Sequence, residues 1–242
     1  MKILKNVFRI IIVLIISLVI VLGLYGYTEY EKIYKQIDNN LIEEKVEKIR
    51  NREDYTKLAD IDKKYLNAVI AAEDNRFYSH GAIDQISITR AIIDNFSSKK
   101  IVSGGSTITQ QFVKNTYLTQ EQNLKRKYLE AILSIELEKR YSKDEILELY
   151  VNSIFFGQGM FGIKQACKGY FDITPKKMTL NQAAYLAGVS NAPSKYNTKQ
   201  DYTIAKKRRD IVLEKMVRYN KISSKEAKEV MEKEIGDKFS KK

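Results

Sequence analysis

From Ile10 to Tyr27 the chain carries no charged side chain. An uncharged stretch of that length falls near the lower end of the roughly 17–25 residues that cross a bilayer as a helix. Lys2, Lys5 and Arg9 precede it, and Glu29 and Glu31 follow. Basic flanks stay on the cytoplasmic side, so the run predicts a single-pass anchor with the rest of the chain outside. A cleaved signal peptide would have a shorter apolar region and a small-residue cleavage site, and Leu24-Tyr25-Gly26-Tyr27-Thr28-Glu29 makes a poor one. The expected layout is a cytoplasmic basic tail over 1–9, an anchor over 10–27, a stalk or docking helix over 28–54, a helical domain over 55–220 and a charged helix and tail over 221–242.

Charge narrows the partners. Lys and Arg number 42 against 30 Asp and Glu, a formal net charge of +12. Such an excess favours a polyanion: nucleic acid, an anionic membrane surface or a phosphate-bearing substrate. A domain held outside a membrane does not meet nucleic acid, so the other two remain. One cysteine, Cys167, rules out an intrachain disulfide, and one histidine, His80, rules out a His-rich zinc site. Two prolines and eleven glycines in 242 residues leave little punctuation, and apolar residues recur at helical spacing almost throughout. A mainly α domain follows. Helices are expected over Asp62–Glu73, Asp84–Phe96, Ser106–Leu118 and Gln122–Arg140, with capping boxes at Ser142/Glu145, Thr179/Gln182 and Ser223/Glu226.

Chemistry concentrates in three places. Glu73 lies on the stripe of Leu66, Val69 and Ile70. A carboxylate on an inward face loses solvation and becomes useful for proton transfer, although a helix-end acid can also simply reach water. Asp74 points away from that stripe and is suited to anchor the following turn. His80 is either a base or a local packing residue. Second, Gly104-Gly105-Ser106-Thr107 reads as a turn and an N-cap opening a helix that carries Gln110, Gln111, Lys114 and Asn115. A helix start with free N–H groups suits an anion. Third, Arg126 and Glu130 share a helix face beside Lys127. That trio is either a surface ion pair or a grip for a pyrophosphate. Ser97-Ser98-Lys99-Lys100 fits an S-x-x-K pattern, but no S-D-N or K-T-G follows and the penicillin-interacting serine reading fails.

Together the pieces resemble the peptidoglycan glycosyltransferase family, which includes monofunctional transglycosylases and the N-terminal domains of class A penicillin-binding proteins. The likeness runs from about Asp62 to Met216. It rests on Glu73-Asp74 with Arg76-Phe77-Tyr78 and His80; on Gly105-Ser106-Thr107-Ile108-Thr109-Gln110-Gln111 with Lys114-Asn115; and on Arg126-Lys127 with Glu130. Two further blocks are Glu145-Ile146-Leu147 through Phe156-Gly157, and Ala183-Ala184 through Tyr196-Asn197. Departures are Gly81 directly after His80 with Ala82 at the later glycine position, Gln122 where arginine is common, and Asp172 after Tyr170-Phe171.

The resemblance implies a lysozyme-like helical lobe, with a smaller membrane-facing lobe near Ile83–Val102. It implies polymerisation of lipid II outside the bacterial plasma membrane, the growing glycan-lipid being the donor. Glu73 is then the general base, and Glu130 holds the basic cluster or supports the leaving group. Lys114, Arg126 and Lys127 would neutralise pyrophosphate, while Ser106, Thr107, Gln110, Gln111 and Asn115 would position sugar and phosphate oxygens. A divalent cation, Mg or Mn, is expected at the pyrophosphate, with no ligand set visible in the sequence. Transpeptidases and other cell-wall synthesis proteins are the expected partners. A lytic enzyme with the same helical lobe, or a membrane-anchored scaffold for precursors, are the competing readings.

Overall fold

Short capping signals set where the helices begin. In the computed structural model, Asp62 accepts from Lys64 N–H and starts the helix that ends at Glu73. Ser142, Thr179 and Ser223 each close a full capping box with the residue three positions on. The structure describes residues 40–98, 104–118 and 124–239, with scattered positions between Asn6 and Glu31. It divides into two compact units, Met1–Glu44 and Lys45–Lys242, and the site lies within the second.

The helices are α1 (Asn40–Arg50), α2 (Lys63–Glu73), α3 (Gln85–Ser98), α4 (Ile108–Tyr117), α5 (Leu124–Arg140), α6 (Lys143–Ser153), α7 (Ile163–Phe171), α8 (Leu180–Val189), α9 (Pro193–Tyr196), α10 (Tyr202–Arg218) and α11 (Ser224–Met231). Among the described residues there is no strand, only an isolated bridge between Phe155 and Phe161. The mainly α expectation holds. Among those residues, too, no helix is long and apolar enough to cross a membrane. The expected 1–9 tail and 10–27 span lie largely or partly outside the described residues, as does Gln122.

α8 is the central helix. Ala183, Ala184, Tyr185, Leu186, Ala187 and Val189 are all buried, so it is apolar all round and must be enclosed. α10 and α2 pack against it, and α10 also packs on α2. α4 packs between α5 and α6, with Phe112 and Val113 fully buried. Two of the close approaches made at glycine bear on the site. A Cβ on Gly188 would meet Arg208 Cγ at 3.1 Å, and one on Gly105 would meet Ile88 Cα at 2.8 Å. The second lets the 104–107 turn lie against α3.

α3 is built differently from the rest. It buries Ala91 but leaves Ile86, Ile92, Ile93 and Phe96 exposed, Phe96 to 86%. An exposed row of large apolar side chains on one helix is a surface made for a partner or a lipid phase.

Candidate active site

Glu73 is the last residue of α2, and its side chain is 7% exposed. Burial of Tyr65, Val69 and Ile70 on the same helix carries it inward, as the apolar stripe predicts. Gln111 Nε2 donates to Glu73 Oε2 at 3.1 Å. The same amide is oriented from behind, since Tyr150 O–H donates to Gln111 Oε1 at 3.1 Å. Burial, then the nearby charge of Glu73, pushes the Tyr150 phenol well above the usual tyrosine range, so it stays a donor. Glu73 Oε1 accepts no hydrogen bond among the described residues and faces the Arg208 guanidinium at 3.7 Å.

Arg208 is held for that position. Its Nε donates to Gly188 O at 3.3 Å, and its guanidinium lies over the Tyr196 ring at 5.3 Å. Lys215, seven residues further along α10, donates from Nζ to Ala72 O at 2.6 Å. Burial draws the Lys215 ammonium below the usual lysine range; Glu73 opposes that, and Arg208, Arg218 and Arg90 reinforce it.

Asp74 and the start of α4 come out differently from the open anion site read in the sequence. Asp74 Oδ2 accepts from Ile108 N–H at 3.0 Å, while Oδ1 contacts His80 Nε2 at 2.8 Å. Thr107 Oγ1 accepts from Gln110 N–H at 3.1 Å and donates to Ala82 O at 2.7 Å; Gln110 Oε1 accepts from Thr107 N–H at 3.1 Å. The helix therefore begins at Ile108 rather than Ser106, and the N–H groups of Ile108 and Gln110 in its first turn are occupied by protein. The fixed negative charge at this N-terminus is Asp74 itself. Thr107 and Gln110 are buried within this cap. His80 is held by Asp74 and Gly81 and serves the same loop.

A small cleft joins these parts, with Glu73, Asn75, Ser87, Arg90, Ser106 and Thr107 in its wall. Ser106 connects it to the third cluster: Lys127 Nζ donates to Ser106 Oγ at 3.1 Å and pairs with Glu130. The partner of buried Glu130 is thus Lys127, three residues away, where the sequence spacing had pointed to Arg126. Arg126 is half-buried on the same helix. Lys114 and Asn115 stand exposed on α4, three and four residues past Gln111 and so on its side of the helix.

A larger cavity of about 770 Å³ lies elsewhere, between the 54–60 loop and α7, and Glu73 does not line it. In its wall Asp54 is paired with Arg52 and Gln165, and Lys168 with Asp172. The smaller cleft has the reactive side chains.

Asp74, His80 and Asp84 come within 4.8 Å of one another and are the group among the described residues that could hold a metal. Their donor atoms are spent. Asp84 accepts from Ser87 N–H at 3.0 Å and pairs with Arg76, and Asp74 is taken up by Ile108 and His80. Burial alone would raise the Asp84 carboxyl, but Ser87 and then Arg76 hold it down at about 2. A guanidinium beside the cluster opposes a cation, so these residues do not fit a resident metal.

A sequence profile of the transglycosylase family matches residues 38–217. This chain belongs to that family. Penicillin-binding protein 1A of Neisseria lactamica is 41% identical over 184 residues, which is 76% of this chain and 23% of that protein. Penicillin-binding protein 1A of Aquifex aeolicus is 39% identical over 181 residues, 75% of this chain and 25% of that protein. Penicillin-binding protein 1A/1B of Bacillus subtilis is 41% identical over 216 residues, 88% of this chain and 23% of that protein. The chain thus spans about a quarter of the length of these relatives. A crystal structure of penicillin-binding protein 1A from Haemophilus influenzae aligns with a TM-score of 0.46 at 23% identity, over 76% of this chain and 18% of that one. The family model is that of a transglycosylase, and the site described above places a buried acid, Glu73, in one cleft wall with Ser106, which Lys127 contacts.

Proposed function

We propose that this chain is a peptidoglycan glycosyltransferase that polymerises lipid II into β-1,4-linked glycan. The observation that carries the proposal is the placing of Glu73. One carboxylate oxygen is fixed by Gln111, the other accepts no hydrogen bond among the described residues, and both belong to a cleft that shares Ser106 with the Lys127–Glu130 pair.

In this reading Glu73 takes the proton from the acceptor sugar's hydroxyl as that oxygen attacks the donor's anomeric carbon. The bond from that carbon to the lipid pyrophosphate breaks, its electron pair leaves on the phosphate oxygen, and the configuration inverts. Lys127, Arg126 and Lys114 offset the charge that develops there. Glu130 holds Lys127 toward Ser106. Gln111 orients the base, and Ser106 and Asn115 meet sugar or phosphate oxygens. Thr107 and Gln110 contribute by building the helix start that presents them. A Mg or Mn ion used in the reaction would enter on the phosphate oxygens of the substrate, since the Asp74–His80–Asp84 cluster does not fit one.

The placement of the substrate follows from α3. Its exposed row of Ile86, Ile92, Ile93 and Phe96 supports the smaller lobe of the proposal, seated in the outer leaflet where a lipid-linked sugar is held. The anchor over 10–27 belongs to the same proposal. The decisive experiment is incubation of the solubilised full chain with lipid II, followed by sizing of the product. Glycan polymer from wild type and none from Glu73→Gln is expected. Polymer from Glu73→Gln, or digestion of finished glycan by wild type, would overturn the reading.

A further inference from the structure

We propose that Lys215 is a positioning residue for Glu73, acting through the end of α2. The proposal rests on the glycosyltransferase reading above and extends it to a residue on a helix that none of the candidate site residues occupies.

Helix α2 stops at Glu73, and Asp74 N–H closes its last turn on Ile70 O. The final carbonyls of a helix have no partner within it. One of them, Ala72 O, belongs to the residue just before the base. Lys215 Nζ donates to it at 2.6 Å from a position 143 residues later in the chain. A cation at a helix C-terminus meets both a free acceptor and the negative end of the dipole. The contact therefore fixes the backbone from which the Glu73 side chain departs.

The arrangement is repeated one step along. Arg208 lies seven residues before Lys215, two turns back on the same face of α10, and reaches the carboxylate itself at 3.7 Å. Arg208 is fixed by Gly188 O and the Tyr196 ring, and α10 is packed along α8 and α2. One rigid helix thus holds the backbone behind the base with Lys215 and the carboxylate with Arg208. A lysine placed only for solubility would stand in water, but Lys215 is half-buried and its ammonium is directed at one carbonyl. Misplacing a catalytic group by about 1 Å costs roughly 100-fold in rate, so the contact bears on turnover more than on substrate affinity.

The test measures steady-state polymerisation of lipid II by the full chain carrying Lys215→Met, Lys215→Gln or Lys215→Arg, with Glu73→Gln alongside and a thermal melt of each. Expected are a fall of at least tenfold in kcat for the Met and Gln variants, KM for lipid II within twofold of wild type, and recovery of a third or more of kcat in the Arg variant. The Gln variant carries the comparison should the Met variant fail to fold. Wild type active and Glu73→Gln silent establishes the underlying reading independently. Given that, kcat within threefold of wild type in the folded neutral variants overturns the inference. So does a loss confined to KM, or an Arg variant no better than Met. An inactive wild type, or an active Glu73→Gln, would remove the glycosyltransferase reading itself.

Discussion

Gln111 holds Glu73 at 3.1 Å and is itself held by Tyr150 at 3.1 Å, so three helices converge on one carboxylate oxygen. Gln111 has a single amide, and both of its ends are used. Glu73 Oε2 therefore has a fixed direction, while Oε1 accepts no hydrogen bond among the described residues.

Gln111→Ala removes the donor and frees the carboxylate to rotate. Turnover of lipid II is expected to fall by on the order of 10–100-fold, the scale of misoriented catalytic groups. Tyr150→Phe keeps the ring and removes only the restraint on Gln111, so a smaller loss of a few-fold is expected. The two effects are tested together in a double variant. Because Tyr150 acts through Gln111, adding Tyr150→Phe to Gln111→Ala should change kcat little further; full multiplication of the two losses would show that they act separately.

The acid at Glu73 was legible because its cause is local: three apolar residues within two turns put it on the buried face. The capping boxes were legible for the same reason, each being closed within four residues. What escaped was whatever depends on distant pairing. Asp74 meets Ile108, 34 positions on, and turns an expected anion site into a closed cap. Arg208 and Lys215 lie in Tyr202–Arg218, a stretch dense in charge in which no local signal sets these two cations apart. Only the packing of α10 against α2 and α8 shows Arg208 and Lys215 turned toward the end of α2.

Asp74 offers a stability prediction. Replacing it by alanine strips the acceptor from a buried Ile108 N–H and from His80 in one step. Leaving buried polar groups unsatisfied costs about 1–3 kcal/mol each, so denaturant unfolding should show a loss of roughly 3 kcal/mol or more. Asp74→Asn keeps an acceptor for Ile108 and should lose about half as much.

Asp84 sets an acid limit on the same loop. Its carboxyl is held at about 2 in the folded chain against 3.8 as a free side chain. A depressed folded value means the stabilisation is present in full above the unfolded value and is lost as pH falls from about 4 toward 2. The gain near neutrality is on the order of 2 kcal/mol. Equilibrium unfolding followed between pH 5 and 2 should show a steeper fall for wild type than for Asp84→Asn, which does not titrate. Identical slopes would mean the Arg76 and Ser87 contacts hold no charge there.

Cys167 makes the lipid-facing prediction straightforward to test. It is buried, and burial pushes its thiol up to about 12, so it does not react at ordinary pH. A cysteine introduced at Phe96, exposed to 86%, would therefore take a polarity-sensitive dye alone. In full-length protein reconstituted into vesicles the dye at position 96 should shift to the blue and be quenched by brominated lipid. The same dye at exposed Lys164, on α7, should report water. Equal spectra from the two positions would remove α3 from the membrane.

Lys127 and Glu130 supply the last test, because their pairing and the cleft are linked through one hydroxyl. Glu130 is buried, Lys127 is half exposed at 48%, and Lys127 also donates to Ser106 at 3.1 Å. Glu130→Gln keeps the shape and a hydrogen-bond acceptor but removes the charge that draws the ammonium toward the turn. Lys127 then swings toward water, at a cost of only about 1 kcal/mol, since a half-exposed ammonium is readily solvated. Stability is expected to change little while turnover of lipid II falls at least tenfold, because in the proposed reaction the cation would no longer face the leaving pyrophosphate. Ser106→Ala, which leaves the ion pair intact, should cost less than Glu130→Gln. The reverse order would mean that the hydroxyl, not the lysine it positions, is the group that meets the phosphate.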